Sequence, residues 1–537
     1  MNVAFDDWIP VVTTTGKPKL ASLCSVLAEG ENYADLAVRP HERVALMRLF
    51  LCVAHAALDG PKDYDEWEAV PQRLPEAARN YLETWKDHFE LFHSIRPWLQ
   101  VAELTGVKTS PAALLDFELA TGNNSTLNDH EGQRVNRPVT STRIVLTLLT
   151  FQNFSSGGGS PVAQWKQVNT SQVGNPDAPC LSQSMANALI RGKRLSETIH
   201  FNLPTRDAIA KKYKSSLLHK KDKANNVWEQ IEFNDIALGR PVWELFPSAP
   251  DPALPEVFNA TRTYLGRLVP VSRWVRLLND TEMYCCNGFK YDTFKDGFPA
   301  EPTASIYLKR KRDDKGGETI ERAVVSVNPS KAIWRELSSL MVKRSAFGLG
   351  GPLAIENAPY DTEFDFHICA MTRDQASMDI AIESVFYISP ALHGNMLAYQ
   401  SEVQYAESLS RKLGWGIEIY RREIDGGWDG RVKSAGKDVG KLKTKLHSIA
   451  TSHYWTAVEK NLGLLMAHIE TIGTDKAISS HEEWRRMLFT SACDAYRVAC
   501  GQETSRQIKA FAKGWQKLTA TKDEPETDTT AAEEGNQ

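Results

Sequence analysis

The stretch Met371-Thr372-Arg373-Asp374-Gln375-Ala376-Ser377 lies between two regions of the sequence that differ in character. Before it, helix-like and strand-like spacings of apolar residues are mixed, whereas from Ser389 onward apolar residues recur at helical spacing almost to the end. Arg, Asp and Gln in a row exclude a buried strand, and Asp374 ahead of Ala376 is typical of a turn or a helix start. The simplest interpretation is a connection between two domains that includes a helix N-cap.

The spacing on either side of this stretch predicts an α+β protein, with a large mixed α/β domain followed by a C-terminal helical bundle. We place the first domain at residues 1–385, the bundle at 386–518 and a disordered acidic tail at 519–537. Within the first domain, apolar residues at helical spacing predict helices over 40–58 and 75–92.

The composition is that of an ordinary soluble globular protein, with 42% hydrophobic and 24% charged residues and a net charge of −4. This charge excludes a bulk binder of polyanions, so any contact with nucleic acid depends on local patches. The sequence begins without the basic and apolar segments of a signal peptide, and the apolar run 44–58 is too short to cross a bilayer. Eight scattered cysteines, of which only Cys285 and Cys286 are adjacent, predict a reducing cytoplasm with no disulfide scaffold, zinc site or other cofactor.

Two loops offer polar groups or exposed backbone to a ligand. Residues 121–138 form a polar loop that carries Leu127 and Asn128, and the Asn128 amide is able to donate to a base edge in a minor groove. The glycine run 157–159 follows a helix or strand over 141–154, and its backbone can approach a phosphate closely, although no P-loop Gly-Lys-Ser/Thr follows. The alternative interpretations are a solvated loop and a flexible turn.

Basic residues are concentrated in three places. The stretch 211–223 carries two groups of lysines with Tyr213 between them, and 306–327 is typical of a β-hairpin with a basic tip at 309–315. Lys290 stands between two aromatic residues, as a side chain held out on a firm base would. Each of these is suited to contact phosphates, or else is simply part of the solvated surface.

The sequence contains none of the strong catalytic motifs. G-x-S-x-G, H-E-x-x-H, Walker A and C-x-x-C patterns are all absent, and the His-Glu pairs lack partners at metal-ligand spacing. Acidic ligands of a nuclease converge only in three dimensions, so one sequence leaves that alternative open. The missing motifs nevertheless favour a protein that is not an enzyme.

Five segments, taken in order, resemble the CasA family, the large subunits of the type I-E CRISPR surveillance complex Cascade. The segments are Phe5-Asp6-Asp7-Trp8-Ile9-Pro10-Val11, Pro97-Trp98-Leu99-Gln100, Gly157-Gly158-Gly159, Gly288-Phe289-Lys290 and Arg373-Asp374-Gln375-Ala376-Ser377. The resemblance extends over about residues 1–520 and includes the late change to helix. It implies four helices in the C-terminal bundle.

The resemblance also implies a function. CasA-like subunits recognise the protospacer-adjacent motif of double-stranded DNA from the minor groove and start strand separation, so that guide RNA can pair with the target. They belong to a complex with other Cascade subunits and help to recruit a helicase-nuclease. Gln375 matches the family's glutamine wedge, Lys290 the lysine finger and Gly159 the glycine loop. The other residues implied to lie at the DNA are Gly157, Gly158, Thr126, Leu127, Asn128, Arg373, Asp374 and Ala376.

The sequence departs from the family pattern at three positions. Residues 135–138 lack the cysteines that some relatives carry, which predicts no zinc. Asp374 stands where a neutral Asn would suit nearby phosphates better, and Lys295 is close enough to Lys290 that either residue can be the finger. Two alternatives to the implied function remain, a metal-dependent nuclease and a purely structural helical scaffold.

Overall fold

The structure is a computed structural model of the chain. It describes all residues except 107, 120–136, 167, 171–176, 213–217, 222–227, 232–237, 292–300, 313–317, 329–330, 345–348, 375–376, 425–436 and 521–537. The chain divides into two compact units, Met1–Ser389 and Pro390–Gln537. Within the described residues, none of the helices has a stretch long and apolar enough to cross a membrane.

The first unit mixes strands and helices, which confirms the predicted mixed class. Its strands are β1 (Ile9–Thr13), β2 (Pro18–Ala21), β3 (Tyr33–Leu36), β4 (Leu104–Thr105), β5 (Ser110–Pro111), β6 (Gln164–Trp165), β7 (Val168–Asn169), β8 (Asn187–Arg191), β9 (Leu218–Lys221), β10 (Trp228–Ile231), β11 (Arg273–Leu277), β12 (Glu282–Asn287), β13 (Ile306–Arg312), β14 (Glu318–Val324), β15 (Phe364–Asp374) and β16 (Ser377–Ile388). Its helices are α1 (Leu23–Ala28), α2 (Pro40–Leu58), α3 (Tyr64–Glu68), α4 (Val70–Thr84), α5 (Ser141–Phe154), α6 (Leu195–Asn202), α7 (Arg206–Lys212), α8 (Pro255–Arg262), α9 (Tyr264–Leu268) and α10 (Leu337–Leu340).

Helix α2 forms the centre of the first unit. It has the predicted bounds, and it is buried on nearly every side, as expected for a helix that is apolar all round. Helices α4, α5 and α9 pack against it. The predicted helix over 75–92 differs: α4 begins earlier and ends at Thr84, and a short 3-10 helix, Lys86–Phe89, follows the C-cap at Trp85.

A buried ion cluster joins α2 to α9 and to the chain before β13. The guanidinium of Arg48, which is fully buried, donates to Glu301 Oε2 over 2.9 Å and to the Leu268 carbonyl over 3.0 Å. Arg267 donates to Glu301 Oε1 through Nε at 3.1 Å and through Nη2 at 2.5 Å. Burial raises the pKa of Glu301, but Arg267 and Arg48 outweigh it and hold this pKa below its usual value.

The described residues of the 371–377 stretch belong to a β-hairpin, so of the two predicted alternatives at Asp374, a turn or a helix start, the helix start is wrong. β15 pairs antiparallel with β16, and the last pair is Asp374 with Ser377. The sequence after Ser377 alternates, with Glu383, Val385 and Tyr387 exposed and the residues between them more buried. This two-residue period is typical of a strand and continues past residue 385 to Ile388. The division between the two units falls after Ser389.

The hairpin belongs to a three-stranded sheet in the order β16-β15-β8. β8 pairs with β15 only from Asp365 to Cys369. Beyond Cys369 the hairpin continues as two strands up to the pair Asp374–Ser377. The described part of the tip therefore extends past the end of the sheet that supports its base.

β9 and β13 carry described parts of the basic segments 211–223 and 309–315 and belong to one sheet, in the order β10-β9-β14-β13, so β14 lies between them. β13 and β14 form the predicted hairpin, and Lys220 of β9 pairs with Thr319 of β14. The tip residues 313–317 lie outside the described residues.

The described part of the second unit is helical. Its helices are α11 (Pro390–Gly394), α12 (Met396–Ile424), α13 (Lys437–Lys460), α14 (Leu462–Thr471), α15 (Ala477–Ala499) and α16 (Ser505–Thr519). α12 contacts α16, α15 and α13, and α15 also contacts α13 and α14. The approach of α12 to α16 requires glycine, because a Cβ on Gly514 would lie 2.5 Å from the Gly416 carbonyl oxygen. The predicted acidic tail falls almost wholly outside the described residues.

Replacing Glu301 by Ala should destabilise the first unit strongly, because it leaves Arg48 and Arg267 buried without their shared carboxylate. Breaking a buried charge pair costs about 3–5 kcal/mol. Urea unfolding of the full chain measures the loss. The matched control is Glu29→Ala, which removes an ion pair with Arg79 whose side chains are 50% and 52% exposed, and should cost less than about 1 kcal/mol. Equal effects of both variants would contradict the assigned role of the cluster.

The same cluster predicts a dependence on pH. The pKa of Glu301 lies below its ordinary 4.5 in the folded chain, so its contribution to stability is present above pH 4.5 and is lost as the pH falls through the lowered pKa. Glu301→Gln should therefore lose less stability than the wild type between pH 5 and pH 3. Unfolding free energies of both proteins across this range test the difference, and parallel curves would refute it.

Candidate nucleic-acid interface

The glycine loop begins where α5 ends. The 141–154 segment is a helix rather than a strand: Thr140 caps its N-terminus, and the Ser155 N–H donates to the Phe151 carbonyl at its C-terminus. The Gly157 N–H then donates to Asp177 Oδ1 over 2.8 Å. Gly158 and Gly159 follow and are exposed, so their backbone is accessible to a ligand.

The Lys290 segment continues from β12 and is held by its neighbours. The N–H groups of Gly288 and Phe289 donate to the carbonyls of Ser272 and Val271 over 3.2 Å each. Gly288 must be glycine there, because an added Cβ would lie 2.7 Å from the backbone of Ser272 and Arg273. This close backbone contact positions the residues that follow.

Lys290 itself is exposed between two buried aromatic residues, which fits both predicted alternatives, a side chain held out on a firm base and a surface lysine. The Phe289 ring packs edge-on against Trp274 with 5.3 Å between centroids. The Tyr291 hydroxyl accepts a hydrogen bond of 2.7 Å from the Val271 N–H. The two anchors on either side direct the chain so that the lysine alone faces solvent.

The structure brings the glycine loop and the Lys290 segment together. The Asn287 N–H donates to Ser160 Oγ over 2.8 Å, and the Asn287 amide makes a longer contact of 3.5 Å with the Gly158 carbonyl. Beneath them, Arg273 Nη2 donates to the Ser156 carbonyl over 2.5 Å. Burial lowers the pKa of Arg273, against the raising effect of Cys285 and Asp177.

The base of the β15–β16 hairpin is linked by hydrogen bonds to the C-terminal end of α5, where the glycine loop begins. Cys369 of β15 pairs with Asn187, whose amide donates to the Cys180 carbonyl over 3.2 Å. The Cys180 N–H in turn donates to the Asn153 carbonyl in the last turn of α5. Arg373 and Asp374 end the described part of β15, whereas Gln375 and Ala376, which join the strands, lie outside the described residues.

The predicted contacts at 126–128 lie outside the described residues, but the chain before them is well placed. Asp116 binds Arg39 over 2.9 Å and Arg143, in the first turn of α5, over 2.7 Å. Burial raises the pKa of Asp116, but Arg143 and Arg39 outweigh it and lower this pKa overall. The polar loop thus starts near the opposite end of α5 from the glycine loop, about 21 Å away at 1.5 Å per residue.

Several residues that build this region were not predicted from the sequence. Asn287, Arg273 and Asp177 each bond a partner far away in the chain, and a single sequence carries no signal for such pairs. The one available hint was Arg273, a charge at the start of an apolar strand.

Two groups of side chains in the described residues have donors spaced for a metal ion. In the first, His367, Cys369 and Glu383 meet on the β15–β16 hairpin. His367 is hydrogen-bonded directly to Glu383. Burial first, and then the charge of Arg43, lowers the pKa of His367.

The second group, Glu402, His468 and His481, lies in the helical unit. Arg485 donates to Glu402 over 2.7 Å and to His481 over 3.1 Å. The Arg485 guanidinium therefore already binds the oxygen and nitrogen atoms that would coordinate a metal ion. We assign no metal to either group.

The comparisons with known proteins identify the family. The sequence matches the family CRISPR-associated protein Cse1 over residues 2–495. The chain belongs to the Cse1 family. This confirms the resemblance to CasA, since a curated relative from Thermus thermophilus named CRISPR-associated protein CasA/Cse1 is 25% identical, with 96% of each chain covered.

Solved structures share the Cse1 fold with this chain. The crystal structure of CasA from Thermus thermophilus has a TM-score of 0.68 at 20% identity, and the alignment covers 96% of this chain and 98% of that one. Cse1 from Acidimicrobium ferrooxidans has a TM-score of 0.71 at 16% identity over 96% of each chain. A chain of a structure titled CRISPR RNA-guided surveillance complex has a TM-score of 0.69 at 17% identity over 97% and 99%.

Gly288→Ala should disturb the Lys290 segment, because the new Cβ has no room against Ser272 and Arg273. We expect a loss of about 1–3 kcal/mol in the unfolding free energy and faster amide hydrogen exchange at Phe289 and Asn287, whose N–H groups donate to Val271 and Ser160. The control is Gly463→Ala in α14, where nothing lies within 4 Å of the added Cβ. That change should be neutral or should stabilise by up to about 1 kcal/mol. Unchanged exchange in Gly288→Ala would show that the close backbone contact does not position the segment.

Proposed function

We propose that this Cse1-family chain is the large subunit of a type I-E Cascade complex and recognises the protospacer-adjacent motif of double-stranded target DNA from the minor groove. The observation that carries the proposal is the contact of Asn287 with Ser160 and Gly158, since it joins an exposed lysine to an exposed glycine backbone. A minor groove presents mainly hydrogen-bond acceptors, so a lysine ammonium and accessible backbone N–H groups can bind there. In this proposal, Lys290 and the loop Gly157-Gly158-Gly159 read the motif together.

This choice of groups predicts relaxed reading of the motif. The minor groove distinguishes mainly A·T from G·C, because both A·T orientations present only acceptors. A lysine has rotatable donors on a flexible stem and no fixed fork, so it tolerates several acceptor positions. A site that reads DNA through Lys290 and the backbone of the glycine loop is therefore expected to bind a set of related motifs.

The β15–β16 hairpin is proposed to separate the strands. Gln375 and Ala376 join two paired strands whose described ends extend beyond the supporting sheet, so the connection is suited to insert as a wedge. Opening a base step costs a few kcal/mol, which later pairing with guide RNA offsets. In this proposal Arg373 attracts the phosphates beside the wedge, whereas the carboxylate of Asp374 repels them.

The remaining parts of the chain are proposed to contact the rest of the complex. The loop with Thr126, Leu127 and Asn128 is assigned to the end of the guide RNA. We propose that the four long helices α12, α13, α15 and α16 act as one bundle beside the neighbouring Cascade subunits. In this proposal the chain works in the cytoplasm, makes no membrane contact, helps to recruit the helicase-nuclease and is not itself an enzyme.

Gln375→Ala and Lys290→Ala should impair duplex recognition in a complex reconstituted with one guide RNA. Gln375→Ala should assemble normally but open matched duplex at least about tenfold more slowly, because the wedge contribution of a few kcal/mol is removed. Lys290→Ala should weaken binding and change the selection among randomised flanking bases. Fluorescent base analogues beside the motif report opening, and sequencing of bound duplexes reports selection.

The control for these variants is Lys17→Ala, a change to an exposed lysine in the β1–β2 turn. It should leave opening and flank selection unchanged. Lys295→Ala decides between the two candidate fingers, since only the true finger alters flank selection. Wild-type opening and selection in both Gln375→Ala and Lys290→Ala would sink the proposal.

Duplex recognition should be independent of divalent metal ions. Binding of the matched duplex in EDTA should equal binding in Mg²⁺ at the same ionic strength, and the chain alone should not cleave labelled DNA in either buffer. Cleavage that requires Mg²⁺ and is lost on changing a carboxylate of this chain would favour a nuclease instead.

A further inference from the structure

A cavity of about 340 Å³ opens beside the segment Pro97-Trp98-Leu99-Gln100, to which the proposed function gives no role. Its size is that of pockets that hold small ligands. Much of its wall is aromatic, and charged residues stand at its margin. The residues that matter here are Trp98, Trp165, Trp243, Phe246, Arg96 and Lys166.

The aromatic wall is held in place by hydrogen bonds and ring contacts. Trp243 Nε1 donates to the Tyr81 hydroxyl over 2.8 Å, and this hydroxyl donates to Glu244 Oε1 over 2.5 Å. Trp165 packs edge-on against Trp274 with 5.0 Å between centroids. Trp98 is buried, and among the described residues its indole N–H has no hydrogen-bond partner.

Two cations stand at the margin, and one of them is oriented by a histidine. His88 Nδ1 donates to the Trp243 carbonyl over 2.7 Å, which leaves Nε2 to accept from Arg96 Nη1 at 2.9 Å. Lys166 is half-exposed and lies 3.8 Å from Glu103. Among the described residues, Arg96 has no carboxylate within 4.0 Å, so its charge is available to an anion.

The backbone of the cavity wall is strained at two points. Leu99 has φ +52° and Lys166 has φ +48°, a region that costs side-chain-bearing residues of this kind free energy. Gln100 holds the first of them in place, since its side chain donates to the Leu91 carbonyl over 2.7 Å and accepts from the Leu277 N–H over 2.8 Å. Strain that the surroundings maintain is concentrated at ligand sites in proteins.

We propose that this cavity binds one unpaired nucleobase, with the attached phosphate at Arg96 and Lys166. The accessible parts of the Trp165, Trp243 and Phe246 rings offer apolar contact to a base of any identity, and a guanidinium suits a phosphate. The choice of nucleic acid as the ligand rests on the proposed function, and guide RNA and a displaced DNA strand both supply such a base.

The cavity is connected to the proposed DNA-reading site through one side chain. Trp165, in its wall, lies 6.2 Å from the Phe289 ring, which immediately precedes Lys290. Trp165 also follows the glycine loop closely in the chain. A base in the cavity therefore rests on the same aromatic cluster that positions the lysine.

Titration of the isolated full chain with nucleoside 5′-monophosphates, followed by tryptophan fluorescence, tests the proposal. We expect saturable quenching by each nucleotide and none by ribose 5-phosphate, which lacks the base. Ala102→Phe, which fills the cavity, should abolish the quenching. Arg96→Gln should weaken binding about tenfold, because it removes the guanidinium charge at the phosphate.

Lys290→Ala separates this proposal from the proposed function, because it should leave nucleotide binding unchanged while it alters duplex recognition. Far-ultraviolet circular dichroism and thermal unfolding confirm that Ala102→Phe is folded. Absence of saturable quenching in the wild type, or full binding by folded Ala102→Phe, would overturn the cavity assignment whatever Lys290 does.

Photocrosslinking in the reconstituted complex distinguishes the two sources of the base. Guide RNA and each DNA strand are labelled separately, and crosslinked peptides are mapped by mass spectrometry. Crosslinks from the guide to the peptide with Trp98 or Trp165 assign the base to RNA, and crosslinks from a DNA strand assign it to DNA. A crosslink of this peptide to a protein side chain, with none to either nucleic acid, contradicts the proposal.

Discussion

The buried cluster of Arg48, Glu301 and Arg267 is the interaction on which the first unit most depends. Three charges removed from water are tolerable only because each is paired, and a missing partner would leave a bare charge in the core. The cluster also holds the chain that carries Lys290, the lysine proposed to read DNA. Arg267 lies 5.4 Å from the centroid of the Tyr291 ring and binds Glu301, so one side chain contacts the described residues on both sides of 292–300.

Helix α5 positions the chain next to two other loops, the polar loop before its N-terminus and the glycine loop after its C-terminus. At its N-terminus, Arg143 and Asp116 bind each other beside the start of the polar loop. At its C-terminus, Gln152 donates to the Arg273 carbonyl over 2.8 Å and accepts from the Arg273 N–H over 2.9 Å, which aligns the glycine loop with the strand that leads to Lys290. Described residues that flank the two loops are thus held at the ends of a buried helix, and a rigid scaffold of this kind lets the attached loops vary.

The aromatic cluster around Trp165 gives the region a second kind of rigidity. Trp165, Trp274 and Phe289 pack against one another, and this one cluster forms a cavity wall and the base of the lysine segment. Contacts of this type are directional, since edge-to-face rings prefer particular angles. The cavity and the proposed reading site are therefore parts of one packed structure rather than two independent surfaces.

The sequence by itself determined the elements whose signal is local. The apolar spacing of α2, the basic hairpin β13–β14 and the helices after Ser389 could all be read from the order of residues, because burial of one face or of a whole helix imposes a period on the chain. Lys290 between two aromatic residues was equally readable. The family resemblance likewise rests on short segments whose order the sequence preserves. Its assignment of individual DNA contacts remains a prediction.

Tertiary structure alone decided which segments meet. The polar residues of the 371–377 stretch, weighed locally, predict a turn or a helix start, whereas the strand pairing of β15 with β16 and β8 depends on hydrogen bonds to residues as distant as Asn187. Asn287 against Ser160, and Glu301 between Arg48 and Arg267, are likewise pairs whose members lie from 34 to 253 residues apart in the chain. Such pairs form only when the chain folds, because the free energy that favours them comes from burial and charge complementarity in the assembled core, and neither leaves a periodic trace in the sequence.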